Sequence, residues 1–275
     1  FVCFASRKGI GVMTQPLNSL AQKVLAIAKE AGDKIMAIYE KDFAIYEKQD
    51  TSPLTEADLA AHNVIVNALE AESDLPILSE ESADISWEER KTWSSYWLVD
   101  PLDGTKEFIK KNGEFTVNIA LIENGKPTMG VVYAPALNKS YVGIVGEGAW
   151  TEVNGEFTAI SARKHDGAEV WKVVGSRSHQ SPEIQNLLAQ LKGETELVAM
   201  GSSLKLCLVA EGEAHLYPRL GPTSEWDTGA AHAVALAAGA NVTVLDPENP
   251  LDDNADALTY NQKESVLNPF FLVSA

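Results

Sequence analysis

A single stretch constrains this chain more than any other. Tyr96-Trp97-Leu98-Val99 is a continuous apolar run of the kind that forms a buried strand, and it stops at Asp100-Pro101-Leu102-Asp103-Gly104-Thr105. Pro101 has no N–H and a fixed φ, so it interrupts the ladder and pins the backbone. Two carboxylates three residues apart, with the Leu102 carbonyl between them, are then aimed from the end of a strand toward one point. Such a set of hard oxygen donors suits Mg²⁺. Gly104 and Thr105 follow at the expected entry of a helix, where free N–H groups favour a phosphate. Taken alone, the same residues also describe an Asp-Gly turn with Asp103 as a capping residue.

The flanking sequence supplies the frame. From Pro16, which can sit in the first turn of a helix, Leu17, Leu20, Val24, Leu25, Ala28, Ile35 and Tyr39 recur at helical spacing. Thr55-Glu56-Ala57-Asp58 resembles a capping box with Asp in place of Glu, which starts a second helix at Thr55 and puts Asp58 in its first turn. Pro76-Ile77-Leu78-Ser79 is a short strand ending in Glu80-Glu81. Strands over 115–122 and through Val131-Val132-Tyr133 flank an Asn124-Gly125 turn, and residues 141–145 continue the pattern. The segment 14–150 is therefore expected to be a half made of two helices and a strand-rich sheet. Residues 151–275 alternate: strand 170–174, a helix opened by Ser181-Pro182, strand 197–200, helix 202–210, strand 215–217, a small-residue helix over 227–238 and strand 242–244. This alternation predicts a layered α/β architecture with no internal repeat.

Charge narrows the function. The formal net charge is -17, which disfavours nucleic acid and anionic lipid as partners. An anionic substrate would need local cations, and divalent metal bound by acidic residues is one source. Cys3 and Cys207 form no CxxC pair, so neither a disulfide framework nor a structural zinc site is expected, and a cytoplasmic setting follows. No apolar run reaches the roughly 20 residues that span a bilayer. Residues 1–13 are set aside from fold reasoning, with Met13 read as a start. The five His show no HExxH spacing, and neither a P-loop nor a Gly-x-Ser-x-Gly elbow occurs.

Three further carboxylates sit at element ends, where sites collect in open α/β folds. Glu80 follows the short strand, Asp58 sits in an expected first helical turn, and Asp227 follows Trp226 at the start of the small-residue helix. Each also has a plain structural role as a solvated loop end or a cap. Leu54-Thr55-Glu56-Ala57-Asp58, Leu78-Ser79-Glu80-Glu81-Ser82, Asp100-Pro101-Leu102-Asp103-Gly104-Thr105 and Trp226-Asp227-Thr228-Gly229 together, in order and spacing, resemble the inositol monophosphatase superfamily from about residue 16 to the end. Lys106-Glu107-Phe108, Ser176-Arg177-Ser178-His179, Gly201-Ser202-Ser203-Leu204-Lys205 and Tyr217-Pro218-Arg219 are similar to its 3'(2'),5'-bisphosphate nucleotidase branch, the bacterial CysQ type.

The resemblance implies an αβαβα sugar-phosphatase-like fold with two packed sheets. It implies two or three Mg²⁺ held by Glu80, Asp100, the Leu102 carbonyl, Asp103 and Asp227, with Asp58 and Thr105 activating water. Glu80, Leu102, Asp103, Gly104, Thr105 and Asp227 would also touch the substrate, with Lys205 and Arg219 on a second phosphate, Ser202 near the sugar–phosphate and His179 near the nucleoside. The expected substrate is adenosine 3',5'-bisphosphate, a small molecule, with no nucleic-acid or obligatory protein partner. The expected place is the cytoplasm, the resembling family being also linked to the inner face of the inner membrane. Lithium sensitivity goes with it. Two rival readings remain: an inositol or sugar phosphate monoesterase on the same fold, and a catalytically dead metal- or nucleotide-binding regulator.

Overall fold

The computed structural model describes residues 16–43, 52–175 and 181–275. Among the described residues seven α-helices are formed: α1 (Ser19–Tyr39), α2 (Pro53–Glu72), α3 (Trp87–Arg90), α4 (Thr105–Lys110), α5 (Pro182–Gln190), α6 (Leu204–Ala210) and α7 (Glu225–Ala237). The first sheet runs in chain order through β1 (Ile77–Ser79), β2 (Ser95–Asp103), β3 (Thr116–Glu123), β4 (Lys126–Ala134), β5 (Lys139–Ile144), β6 (Gly148–Val153) and β7 (Glu156–Ile160). The second holds β8 (Trp171–Val174), β9 (Thr195–Val198), β10 (Leu216–Arg219), β11 (Asn241–Val244) and β12 (Phe271–Ser274), in the order β11-β12-β10-β8-β9.

Alternation along the strands builds the layers. On β2, Trp97 and Val99 face a core shared with α1 and α2, while Tyr96 and Leu98 face a second core shared with α6 and α7. On β8 and β12, Val174, Phe271 and Val273 join that second core, while Val173 and Leu272 turn to a third under Leu187 of α5. The stack is α1 and α2, first sheet, α6 and α7, second sheet, α5. This is the αβαβα fold with two packed sheets. The small residues of α7 let it lie almost on the sheet backbone: a Cβ added at Gly130 of β4 would sit 2.1 Å from the Ala230 carbonyl oxygen.

Several local expectations shift. Pro16 lies before α1, whose cap is Asn18, accepting the Ala21 N–H at 2.9 Å. α2 starts two residues before Thr55, with Ser52 as cap and Pro53 at the first position. A proline there pre-sets the helical φ and loses no bond, so it outcompetes the Thr55 box. Asp58 accordingly stands in the second turn. The first sheet runs on through β6 and β7, so residue 150 lies inside β6, and α7 from the later half packs on the earlier half's sheet.

Candidate active site

The carboxylates are brought together by the bulge that Pro101 makes. β2 pairs Asp100 with Asn118, breaks register, and resumes at Asp103 opposite Thr116. The Asp100 side chain folds over the bulge, its Oδ1 accepting the Leu102 N–H at 3.1 Å. Asp103 Oδ2 accepts the Ser203 N–H at 2.6 Å. Asp227, the third residue of α7 rather than its first, accepts the Ser224 N–H at 2.7 Å in a capping box. Glu80 opens the 3-10 turn Glu80–Ser82 at the end of β1 and hydrogen-bonds with Asp100. Carboxylate oxygens of Asp100, Asp103 and Asp227 all lie within 4.8 Å of one another.

Their titration reflects that crowding. Burial first, and then Asp103, Glu80, Asp227 and Asp58, push Asp100 well above the usual carboxylate range. Asp103 is raised to about 7 by burial and Asp227, against the pull of Lys205 and the Ser203 N–H. Burial also raises Glu80 and Asp227. Packed carboxylates in a partly buried cleft resist ionisation, and positive charge placed among them reverses this. Asp100 Oδ2 and Asp58 Oδ1 are buried with no hydrogen-bond partner among the described residues. Orphaned buried carboxylate oxygens are rare and call for an occupant. An all-oxygen anionic set without His or Cys fits a hard divalent cation.

One cleft of about 300 Å³ is lined by Glu80, Asp100, Leu102, Asp103, Gly104, Thr105, Ser202, Lys205, Arg219 and Asp227. Gly104 holds φ 89°, and a Cβ there would sit 3.0 Å from the Glu114 carbonyl oxygen, so the tight approach to the backbone before β3 needs glycine. Thr105 opens α4 with its side chain exposed. Across the cleft stand Lys205 on α6 and Arg219 at the end of β10. Arg219 Nη2 donates to the Pro222 carbonyl at 3.1 Å, while its buried Nε has no partner among the described residues. Burial and the neighbouring Arg219 hold the Lys205 ammonium below its usual range, although Asp103, Glu107 and Asp227 pull upward. Lys205, Tyr217 and Arg219 also border a second cavity of about 940 Å³ with apolar walls that include Val173, Ile184, Leu197 and Met200.

Asp58 adjoins the carboxylate cluster but is not among the residues lining the cleft. Asp58 is 8% exposed and hydrogen-bonds with Glu81; among the described residues no hydrogen bond joins it to Thr105. Burial, then Glu81 and Glu80, raise Asp58 to about 8. His179 lies outside the described residues. Sequence reasoning passed over Glu81 and Ser203 as site members. The adjacency of Glu81 to Glu80 was a usable signal, whereas the bond from Ser203 to a residue a hundred positions away leaves none.

Comparison with known proteins adds to this geometry. The model of the inositol monophosphatase family matches residues 17–269. The 3'(2'),5'-bisphosphate nucleotidase CysQ of Salmonella typhimurium is 52% identical over 258 residues, which is 93% of this chain and 99% of that protein. The Escherichia coli K12 protein of the same name is 51% identical over the same length and coverage. The crystal structure of CysQ from Bacteroides thetaiotaomicron superposes with a TM-score of 0.81 at 43% identity, covering 94% of this chain and 97% of that one. An inositol monophosphatase from Staphylococcus aureus shares the fold, with a TM-score of 0.73 at 19% identity and coverage of 94% and 91%.

Proposed function

The chain belongs to the inositol monophosphatase family, and on that premise we propose that it is a 3'(2'),5'-bisphosphate nucleotidase. It removes the 3'-phosphate of adenosine 3',5'-bisphosphate, giving AMP and phosphate. The observation that carries this reading is the pairing, across one cleft, of a carboxylate cluster with two cations, Lys205 and Arg219, that are in no ion pair among the described residues. A monophosphate substrate needs only the first. A bisphosphate uses both, and the apolar second cavity bordering Lys205 and Arg219 accepts the nucleoside. The half identity to proteins named for this activity supports the same choice.

Glu80, Asp100, the Leu102 carbonyl, Asp103 and Asp227 would hold two or three Mg²⁺. Bound there, these ions supply positive charge to the phosphoryl group and leaving oxygen and make water more acidic. Asp58 takes up the proton lost by the attacking water, with the Thr105 hydroxyl orienting that water. Gly104 and Thr105 N–H groups receive phosphoryl oxygens. Lys205 and Arg219 grip the phosphate that stays, with Ser202 near the sugar–phosphate, and the nucleoside contact assigned to His179 is carried over from the family pattern. Attack is in line, without a covalent enzyme intermediate. Adenosine 3',5'-bisphosphate is the by-product of sulfate activation, so the reaction serves sulfur assimilation in the cytoplasm. Among the described residues no helix is long and apolar enough to cross a membrane.

Phosphorus NMR of the products with and without EDTA tests this reading. Release of AMP and phosphate only when Mg²⁺ is present is expected. Adenosine 3'-monophosphate as the product, or turnover in EDTA, would contradict it.

A further inference from the structure

Asp100 and Asp103 face Asn118 and Thr116 as their ladder partners on β3. Thr116, Asn118 and Ser203 are buried, at 0%, 1% and 2% exposure, and their side chains meet one another. Asn118 Nδ2 donates to Thr116 Oγ1 at 3.1 Å, and Ser203 Oγ donates to Asn118 Oδ1 at 2.7 Å. The Thr116 hydroxyl has two acceptors within reach, Ser203 Oγ at 3.0 Å and Asn118 Oδ1 at 3.4 Å; the shorter contact has it donate to Ser203. The three bonds close a ring in which every member donates once and accepts once, an arrangement in which each bond polarises the next.

The ring sits at a junction. Ser203 is the residue whose N–H holds Asp103 Oδ2, and it immediately precedes α6, whose second residue is Lys205. The preceding Ser202 is held at φ 48°, a left-handed conformation that a serine adopts only when its surroundings impose it. A single fixed point therefore sets the carboxylate on one side of the cleft and the ammonium on the other.

We propose that Thr116, Asn118 and Ser203 are positioning residues that fix the span between Asp103 and Lys205. The same three hydrogen bonds would then govern both cation affinity and selectivity for a substrate with two phosphates. The proposal rests on the nucleotidase reading for its second half and on the carboxylate geometry alone for its first. A purely structural buried network would support stability and leave both properties untouched.

The pair Thr116→Val and Thr116→Ser separates the two cases. Valine keeps the shape and breaks the ring; serine keeps the ring. Three quantities are read. The first is the Mg²⁺ concentration for half of the Mg²⁺-induced rise in melting temperature, without substrate. The second is the ratio of kcat/KM for adenosine 3',5'-bisphosphate to that for adenosine 3'-monophosphate. The third is the urea midpoint in EDTA. Loss of a residue supporting a metal ligand typically weakens metal binding about 10- to 100-fold, and a misplaced binding group costs a similar factor. Thr116→Val is therefore expected to raise the Mg²⁺ half-point about tenfold and lower the substrate ratio about tenfold, with Thr116→Ser within about twofold of the parent on both. A folded Thr116→Val protein that changes only in urea midpoint, or in just one of the two site properties, overturns the proposal. If that variant does not fold, Ser203→Ala, which keeps the N–H to Asp103, is judged by the same outcomes. Should the parent fail to act on the bisphosphate, the nucleotidase reading falls, and the Mg²⁺ half-point still decides whether the ring positions Asp103.

Discussion

Replacing Asp103 by Asn should stabilise the protein in EDTA while destroying its function. Asp103 is pushed from the usual 3.8 up to about 7, by burial and then by Asp227. Each pH unit is worth about 1.4 kcal/mol, so holding this carboxylate ionised at about pH 8 costs the folded state up to ~4 kcal/mol. Asn keeps an oxygen for the Ser203 N–H but accepts a neutral rather than a charge-assisted bond, which gives back roughly 1 kcal/mol. Coupling to Asp227 and Glu80 trims the remainder, leaving a net gain of about 2–3 kcal/mol, or about 5–10 °C in Tm for a chain of this size. The sign follows from a raised pKa. The folded state binds the proton more tightly than the unfolded chain, so parent stability is intact below about pH 3.8 and is lost as the pH climbs through about 7. The advantage of Asp103→Asn should thus be largest near about pH 8 and fade toward about pH 4. Saturating Mg²⁺ should invert the order, raising the parent's Tm far more than the variant's. Differential scanning calorimetry at a series of pH values, in EDTA and in Mg²⁺, reads all of this. A variant no more stable than the parent in EDTA near about pH 8 would refute the claim that these carboxylates repel one another in an ion-free site.

Three other outcomes are expected. Lys205→Ala should lower kcat/KM for the bisphosphate about 10- to 100-fold while changing inositol 1-phosphate turnover by less than about threefold, because it removes a charge-assisted contact to a phosphate that only the first substrate has. Asp58→Asn should cut kcat by about 10²–10⁴ and leave substrate binding, measured by calorimetry, within about twofold. Gly130→Ala should lose about 3 kcal/mol in urea unfolding, because its methyl collides with backbone of α7 rather than with a movable side chain.

Much of this fold could be read from the chain because local signals agreed with tertiary ones. The apolar runs of β2 and β8 and the Asn124-Gly125 turn each have a short-range cause. So does the run of small residues in α7. β6, β7 and β12 were passed over: β7 is a half-exposed edge, and β12 owes its strand state to pairing with β10 and β11 on either side. At the site, Glu80, Asp100, Asp103 and Asp227 stood out because each follows or opens an element. Asp58 stands in the second helical turn rather than the first that the sequence predicts, since Ser52 and Pro53 form a better helix start than Thr55. The ring of Thr116, Asn118 and Ser203 was not visible at all. Its members are 2, 85 and 87 positions apart in pairs that only β-ladder register and the packing of α6 bring together.

The central claim is that the cleft reads two phosphates. Phosphate release with Mg²⁺ should be measured from adenosine 3',5'-bisphosphate and from inositol 1-phosphate, each to full kcat/KM. The account predicts at least a hundredfold preference for the bisphosphate, about 2.7 kcal/mol, within reach of Lys205 and Arg219 acting together. Equal rates, or a preference for inositol 1-phosphate, would leave the carboxylate cluster standing and contradict the assignment of the cations that face it.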